Sequence, residues 1–81
     1  MARVLLFGPL RDLAGWRERT FEPAPATLSA LKALLDAEDP LLGEALAGKG
    51  VQAAVDQALV RGDIALAPGA EVAFLPPMSG G

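Results

Sequence analysis

Glu71-Val72-Ala73-Phe74-Leu75-Pro76-Pro77-Met78-Ser79-Gly80-Gly81 closes the chain, and its reading organises everything upstream. The first five residues read as a strand. Side chains alternate across a strand, so Val72 and Phe74 share one face and Leu75 points to the other. Pro76 and Pro77 end the strand, because proline cannot donate to a ladder, and they favour a stiff, extended exit. Gly80 and Gly81 have no Cβ and can thread a slot too narrow for other residues. The expected product is a slim arm ending in a free carboxylate, the form of an acyl group presented to another protein's active site.

Upstream, Arg3-Val4-Leu5-Leu6-Phe7-Gly8 is an apolar run stopped by Gly8-Pro9 and reads as a strand. Val4 and Leu6 share one face of it, with Leu5 and Phe7 opposite. Leu10–Ala14 suits about one helical turn, ended by Gly15. Arg17–Glu22 alternates in charge and reads as an edge strand, where charge discourages pairing with other chains. Thr27 is a plausible N-cap, followed at helical spacing by Leu28, Leu31 and Leu35, with Leu34 beside them and Lys32 and Asp36 on the other face. This helix is expected over 27–38. Asp39 caps a shorter one, with Pro40 at its first position and Gly48 at its end. Val51–Val55 and Ala58–Val60 flank Asp56-Gln57 as a tight hairpin, with Asp56 able to take φ > 0. Pro68-Gly69 is a turn pair with Gly69 at the left-handed position.

The order of elements, with one main helix and no long repeat, predicts an α+β domain: a mixed sheet with the helices on one face. Residues 1–75 form that domain and 76–81 the extended tail. If Leu28, Leu31 and Leu35 cover one face, some of Phe7, Leu59 and Leu75 lie on the other. Such an apolar patch marks a partner site, unless the short second helix or a loop covers it.

Composition removes most other functions. The 81 residues make one small domain, and the 52% apolar fraction is enough for a core. With no cysteine and no histidine, there is no disulfide, no thiolate or imidazole metal site and no Ser-His or Cys-His nucleophile. No metal site is expected. The glycine spacing fits no nucleotide-binding fingerprint. A net charge of −3 with scattered basic residues argues against nucleic acid. The apolar runs are too short for a membrane span, and Met1-Ala2-Arg3-Val4 leads into a strand rather than a signal peptide, so a cytoplasmic protein is expected. The one distinctive reactive group is the Gly81 carboxylate. A carboxylate is a poor electrophile until activated, most simply by adenylation with ATP; a sulfur nucleophile can then attack the acyl carbon. The chain would be the co-substrate and its partner would hold the nucleotide.

These residues also carry a family resemblance. Val4–Gly15, Ala53–Val60 and Gly69–Gly81 resemble the opening, the central hairpin and the closing strand and tail of the small subunits of molybdopterin synthase. The match spans the chain, and its most specific part is Phe-x-Pro-Pro-x-Ser-Gly-Gly at 74–81. The resemblance implies a ubiquitin-like β-grasp sulfur carrier with its first and last strands parallel. It implies that Gly81 is adenylated by an enzyme related to ubiquitin activators and converted to a thiocarboxylate. The tail of Pro76, Pro77, Met78, Ser79 and Gly80 then enters the large synthase subunit, and sulfur passes to a cyclic pterin precursor within a heterotetramer. It implies no cofactor bound by the isolated chain, ATP being used by the activating enzyme. It places Phe7, Leu59, Leu75 and Arg11 at the partner interface. Asp56 stands where relatives often have Asn, and Leu75 replaces a frequent aromatic. Three other readings start from the same tail: a thiamine-pathway sulfur carrier, against which Pro76-Pro77 and the length argue; a ubiquitin-like protein modifier, which begins with the same adenylate; and a binding module with an inert tail.

Overall fold

The computed structural model describes residues 1–77. Strands β1 (Ala2–Leu6), β2 (Glu18–Phe21), β3 (Gln52–Val55), β4 (Ala58–Val60) and β5 (Glu71–Leu75) are interleaved with helices α1 (Pro9–Ala14), α2 (Leu28–Glu38) and α3 (Pro40–Leu46). The strands form one sheet in the order β2-β1-β5-β3-β4. β1 and β5 run parallel; the other neighbours are antiparallel. The last strand therefore enters the middle of the sheet, and the whole intervening chain serves as the crossover that parallel strands require.

Strand parity sorts the residues as the sequence predicts. Val4, Leu6, Val72 and Phe74 are fully buried and pack in one cluster with Leu28, Leu31 and Leu35 of α2 and Leu42 and Leu46 of α3. Leu10 of α1 joins the same cluster, so all three helices lie over one face. Leu34, beside this stripe, is exposed. The Thr27 hydroxyl accepts from the Ala30 N–H at 3.1 Å and starts α2. Asp39 ends α2 and starts α3, its carboxylate accepting from the Leu42 N–H at 3.2 Å, with Pro40 in the first turn.

Three details depart from the sequence reading. β1 stops at Leu6, so Phe7 lies just past the strand. Gly8 has φ +56 there and turns the chain into α1 at Pro9. α3 stops at Leu46, short of Gly48, because the Gly48 N–H closes a tight turn onto the Ala45 carbonyl at 3.1 Å; the left-handed residue is Gly50, φ +85. In the β3–β4 turn both Asp56 (φ 50) and Gln57 (φ 71) are left-handed, the backbone that matches strand twist in a two-residue hairpin.

The segment between β4 and β5 clamps the start of α2. One Asp63 oxygen accepts from the N–H groups of Ser29 (2.8 Å) and Ile64 (2.9 Å), and the other accepts from the Ser29 hydroxyl (2.8 Å). The Leu28 N–H donates to the Ile64 carbonyl and the Leu66 N–H to the Ala26 carbonyl, both at 2.9 Å. The Ser29 N–H, then its hydroxyl, hold the Asp63 carboxyl below its ordinary pKa.

Leu31→Ala should cost about 2–5 kcal/mol, the range for emptying a fully buried leucine site, and urea denaturation measures it; a loss well under 1 kcal/mol would remove Leu31 from the core. The stabilisation from Asp63 is complete above the ordinary aspartate range and is lost as pH falls through the lowered native value. The stability gap between the wild-type chain and Asp63→Asn, followed by urea titration from neutral to acidic pH, should therefore shrink on acidification.

Candidate functional site

The sheet face away from the helices is graded from charged to apolar. At one end Arg3 pairs in register with Glu71 and Thr20, its guanidinium bonded to the Glu71 carboxylate and 3.8 Å from Glu18. One row further, Leu5, Ala73, Ala54 and Leu59 stand side by side across four strands. The last row holds Leu75 beside Gln52. Phe7 follows the Leu6–Phe74 pair by one residue and reaches the same level. The apolar end is thus the end from which the chain leaves β5.

Of the four residues expected at an interface, Leu59 and Leu75 stand on the strand face away from the helices and Phe7 follows β1 by one residue. Phe7 and Leu59 are 45% and 61% exposed, far more than buried core leucines, and Leu75, paired with Gln52 of β3 on one side, is half-buried. Leu5, Ala73 and Ala54 bridge Leu75 and Leu59 across the face. Parity announces Leu5 in the sequence; the two alanines carry no signal until the register is known. Arg11 stands apart on α1, not on the sheet, with its guanidinium 3.9 Å from Asp12. Of the expected tail, Pro76 is half-buried and Pro77 exposed; Met78, Ser79, Gly80 and Gly81 lie outside the described residues.

Among the described residues no group of three acidic, histidine or cysteine side chains could hold a metal ion. A cleft of about 430 Å³ opens beside β4, lined in part by Ser29, Lys32, Leu59, Arg61 and Asp63. Its one carboxylate, Asp63, is engaged by the Ser29 N–H and hydroxyl and by the Ile64 N–H in the clamp on the start of α2. No helix among the described residues is long and apolar enough to cross a membrane. What the described residues offer is an apolar face beside the point where the chain leaves β5.

Comparison with known proteins gives the family and the fold. The ThiS family model matches residues 4–81. The molybdopterin synthase sulfur carrier subunit of Escherichia coli (strain K12) is 37% identical over 81 residues, all of both chains. The crystal structure of SAMP1 from Haloferax volcanii superposes with a TM-score of 0.83 at 25% identity, covering 99% of this chain and 98% of that one. The fold is the ubiquitin-like β-grasp expected from the sequence.

Leu59→Glu should stay within about 0.5 kcal/mol of the wild-type stability, as exposed substitutions do. Leu6→Ala, buried on the other face, should lose about 2–5 kcal/mol. Thermal denaturation of the two variants checks the parity; equal losses would put Leu59 in the core.

Proposed function

This chain belongs to the ThiS family, and on that premise we propose that it is the sulfur carrier of a molybdopterin synthase, loaded at the carboxylate of Gly81. The observation that carries the reading is the meeting of three features at one end of the sheet. β5 ends there, the apolar residues Leu75 and Phe7 stand there, and Pro76-Pro77 begins there. A partner that docks on the apolar face has the root of the tail in front of it. The full-length likeness to a relative described as a molybdopterin synthase sulfur carrier subunit supports this reading.

The chemistry follows from the carboxylate. One Gly81 oxygen attacks the α-phosphorus of ATP held by an adenylating enzyme, and pyrophosphate leaves. A persulfide of the loading machinery attacks the acyl carbon, and AMP leaves. A thiol cleaves the sulfur–sulfur bond, and the thiocarboxylate remains. The tail then enters the large synthase subunit, where the sulfur displaces an oxygen leaving group from a carbon of the pterin precursor; water then cleaves the acyl–sulfur bond, leaving the sulfur on the pterin and the Gly81 carboxylate restored. The domain takes no part in bond making; it docks, through Phe7, Leu59 and Leu75, and holds the tail's root still. The working assembly is a heterotetramer of two small and two large subunits in the cytoplasm, and ATP is bound by the adenylating enzyme.

Deleting Gly81 should leave docking intact, because Leu75 and the sheet are untouched, and should reduce ATP–pyrophosphate exchange and thiocarboxylate formation to background. A displacement of about 1 Å at a reacting atom already costs roughly 100-fold, and this deletion removes a whole residue. Leu75→Glu should do the reverse, weakening association by desolvating a charge while the reactive end stays whole. Exchange kinetics and intact mass, in which one oxygen is replaced by sulfur, read both. Normal loading of the Gly81-deleted chain would overturn the proposal, and conjugates of higher mass without thiocarboxylate would mark a protein modifier instead.

A further inference from the structure

Two glycines flank the point where the tail leaves the sheet. Gly8 follows β1 and Gly50 precedes β3, and β1 and β3 are the two neighbours of β5. A Cβ on Gly8 would sit 3.3 Å from Pro76 Cγ, and a Cβ on Gly50 would sit 2.8 Å from Pro77 Cβ. Gly15, Gly62 and Gly69 also have positive φ, yet a Cβ on any of them would meet nothing within 4 Å. Backbone conformation alone accounts for those three. At Gly8 and Gly50 a tail proline occupies the space that a side chain would take.

We propose that Gly8 and Gly50 form a notch that seats Pro76 and Pro77 and fixes the direction in which the tail leaves the domain, making both glycines positioning residues for chemistry at Gly81. The notch stands on geometry; its role in the chemistry rests on the sulfur-carrier reading. A proline ring cannot swing aside as a flexible side chain does; Pro77 Cβ is fixed by the backbone, whereas Pro76 Cγ shifts with ring pucker, so the Gly50–Pro77 contact is the stiffer of the two. Ordinary carbon–carbon contacts lie at about 3.5–4.0 Å. A methyl group at position 50 therefore pushes Pro77 by on the order of 1 Å. Four residues follow Pro77 and reach about 13 Å when extended in a partner's slot, so a tilt at the root grows along the arm. The docking face on Phe7, Leu59 and Leu75 is not touched. Loss of the notch should appear in turnover and not in docking.

The test compares Gly50→Ala with Gly62→Ala, which carries similar backbone strain (φ +85 against +76) but faces open space. In the wild-type chain, proton NMR should give a cross-relaxation peak between the Gly50 Hα and Pro77 Hβ protons. It should persist in Gly62→Ala. In ATP–pyrophosphate exchange with the cognate adenylating enzyme, Gly50→Ala should lower kcat by at least about tenfold, with KM for the carrier within about twofold. Gly62→Ala, corrected for folded fraction, should lower neither. Pro77→Gly removes the atom that clashes, so the double variant Gly50→Ala/Pro77→Gly should turn over no more slowly than Pro77→Gly alone. An absent Gly50–Pro77 peak in the wild-type chain overturns the notch. So does a Gly50→Ala turnover equal to that of Gly62→Ala, or a double variant whose loss is the product of the single losses. If Gly50→Ala does not fold, the milder Gly8→Ala replaces it, with the same split between kcat and KM expected. A wild-type chain that shows the peak but supports no exchange would overturn the sulfur-carrier reading and leave the notch standing.

Discussion

β5 is hydrogen-bonded along both edges, to β1 in parallel and to β3 in antiparallel register. It joins two pieces that are each only two strands wide, β2-β1 on one side and β3-β4 on the other. Two-stranded hairpins are marginal in water, so the sheet exists only while β5 is in place. Val72 and Phe74 are fully buried under the helices, and their withdrawal would empty the centre of the core. Opening the last strand therefore costs nearly as much as opening the domain. The root of the tail inherits that rigidity, although it lies only a few residues from the end of the chain.

The same strand divides its side chains between two tasks. Val72 and Phe74 face the helices; Ala73 and Leu75 face away. A slip of one residue would exchange the sets, burying Leu75 and exposing Phe74. The register is pinned at the start of β5. The Asp56 N–H donates to the Glu71 carbonyl at 2.8 Å, and the Asp56 carboxylate accepts from the Glu71 N–H at 3.0 Å. A hairpin turn between two other strands thus sets the phase of the strand that carries the tail. The Arg3–Glu71 pair lies at the same end but is largely exposed on the arginine side, where ion pairs add little stability.

What the sequence disclosed was local. The Thr27 cap, the Asp39-Pro40 junction, the Asp56-Gln57 turn and the parity of each strand depend on residues a few positions apart, and all were readable. The parallel placement of β1 beside β5 came from resemblance, since pairing across nearly the whole chain leaves no local mark. The glycines show the limit best. Gly43 sits inside α3, where a Cβ would stand 2.6 Å from the Asp36 Cα, so it is the close approach of α2 and α3 that needs glycine there. Gly50 makes room for Pro77, whereas Gly62 makes room for nothing. The letter is the same in each case, and only the tertiary neighbour separates them. Asp63 was equally silent: its partner Ser29 lies 34 positions away.

For a carrier loaded at Gly81, the fold also sets a length. Of the proposed docking side chains Leu75 is nearest the tail, and the proposed reactive carbon belongs to the sixth residue after it. Extended, they span at most about 20 Å. Pro76 and Pro77 keep the first third close to that limit, since neither can coil back. Every enzyme that acts on the carboxylate must then place its reactive centre within this distance of its pocket for Leu75, in the direction along which the tail leaves. An adenylating enzyme and a synthase subunit can have unrelated active sites and still use the same face, provided that each respects that spacing. In the proposed carrier, recognition by the sheet and chemistry at the terminus would be coupled through this ruler, with its zero set by the register of β5.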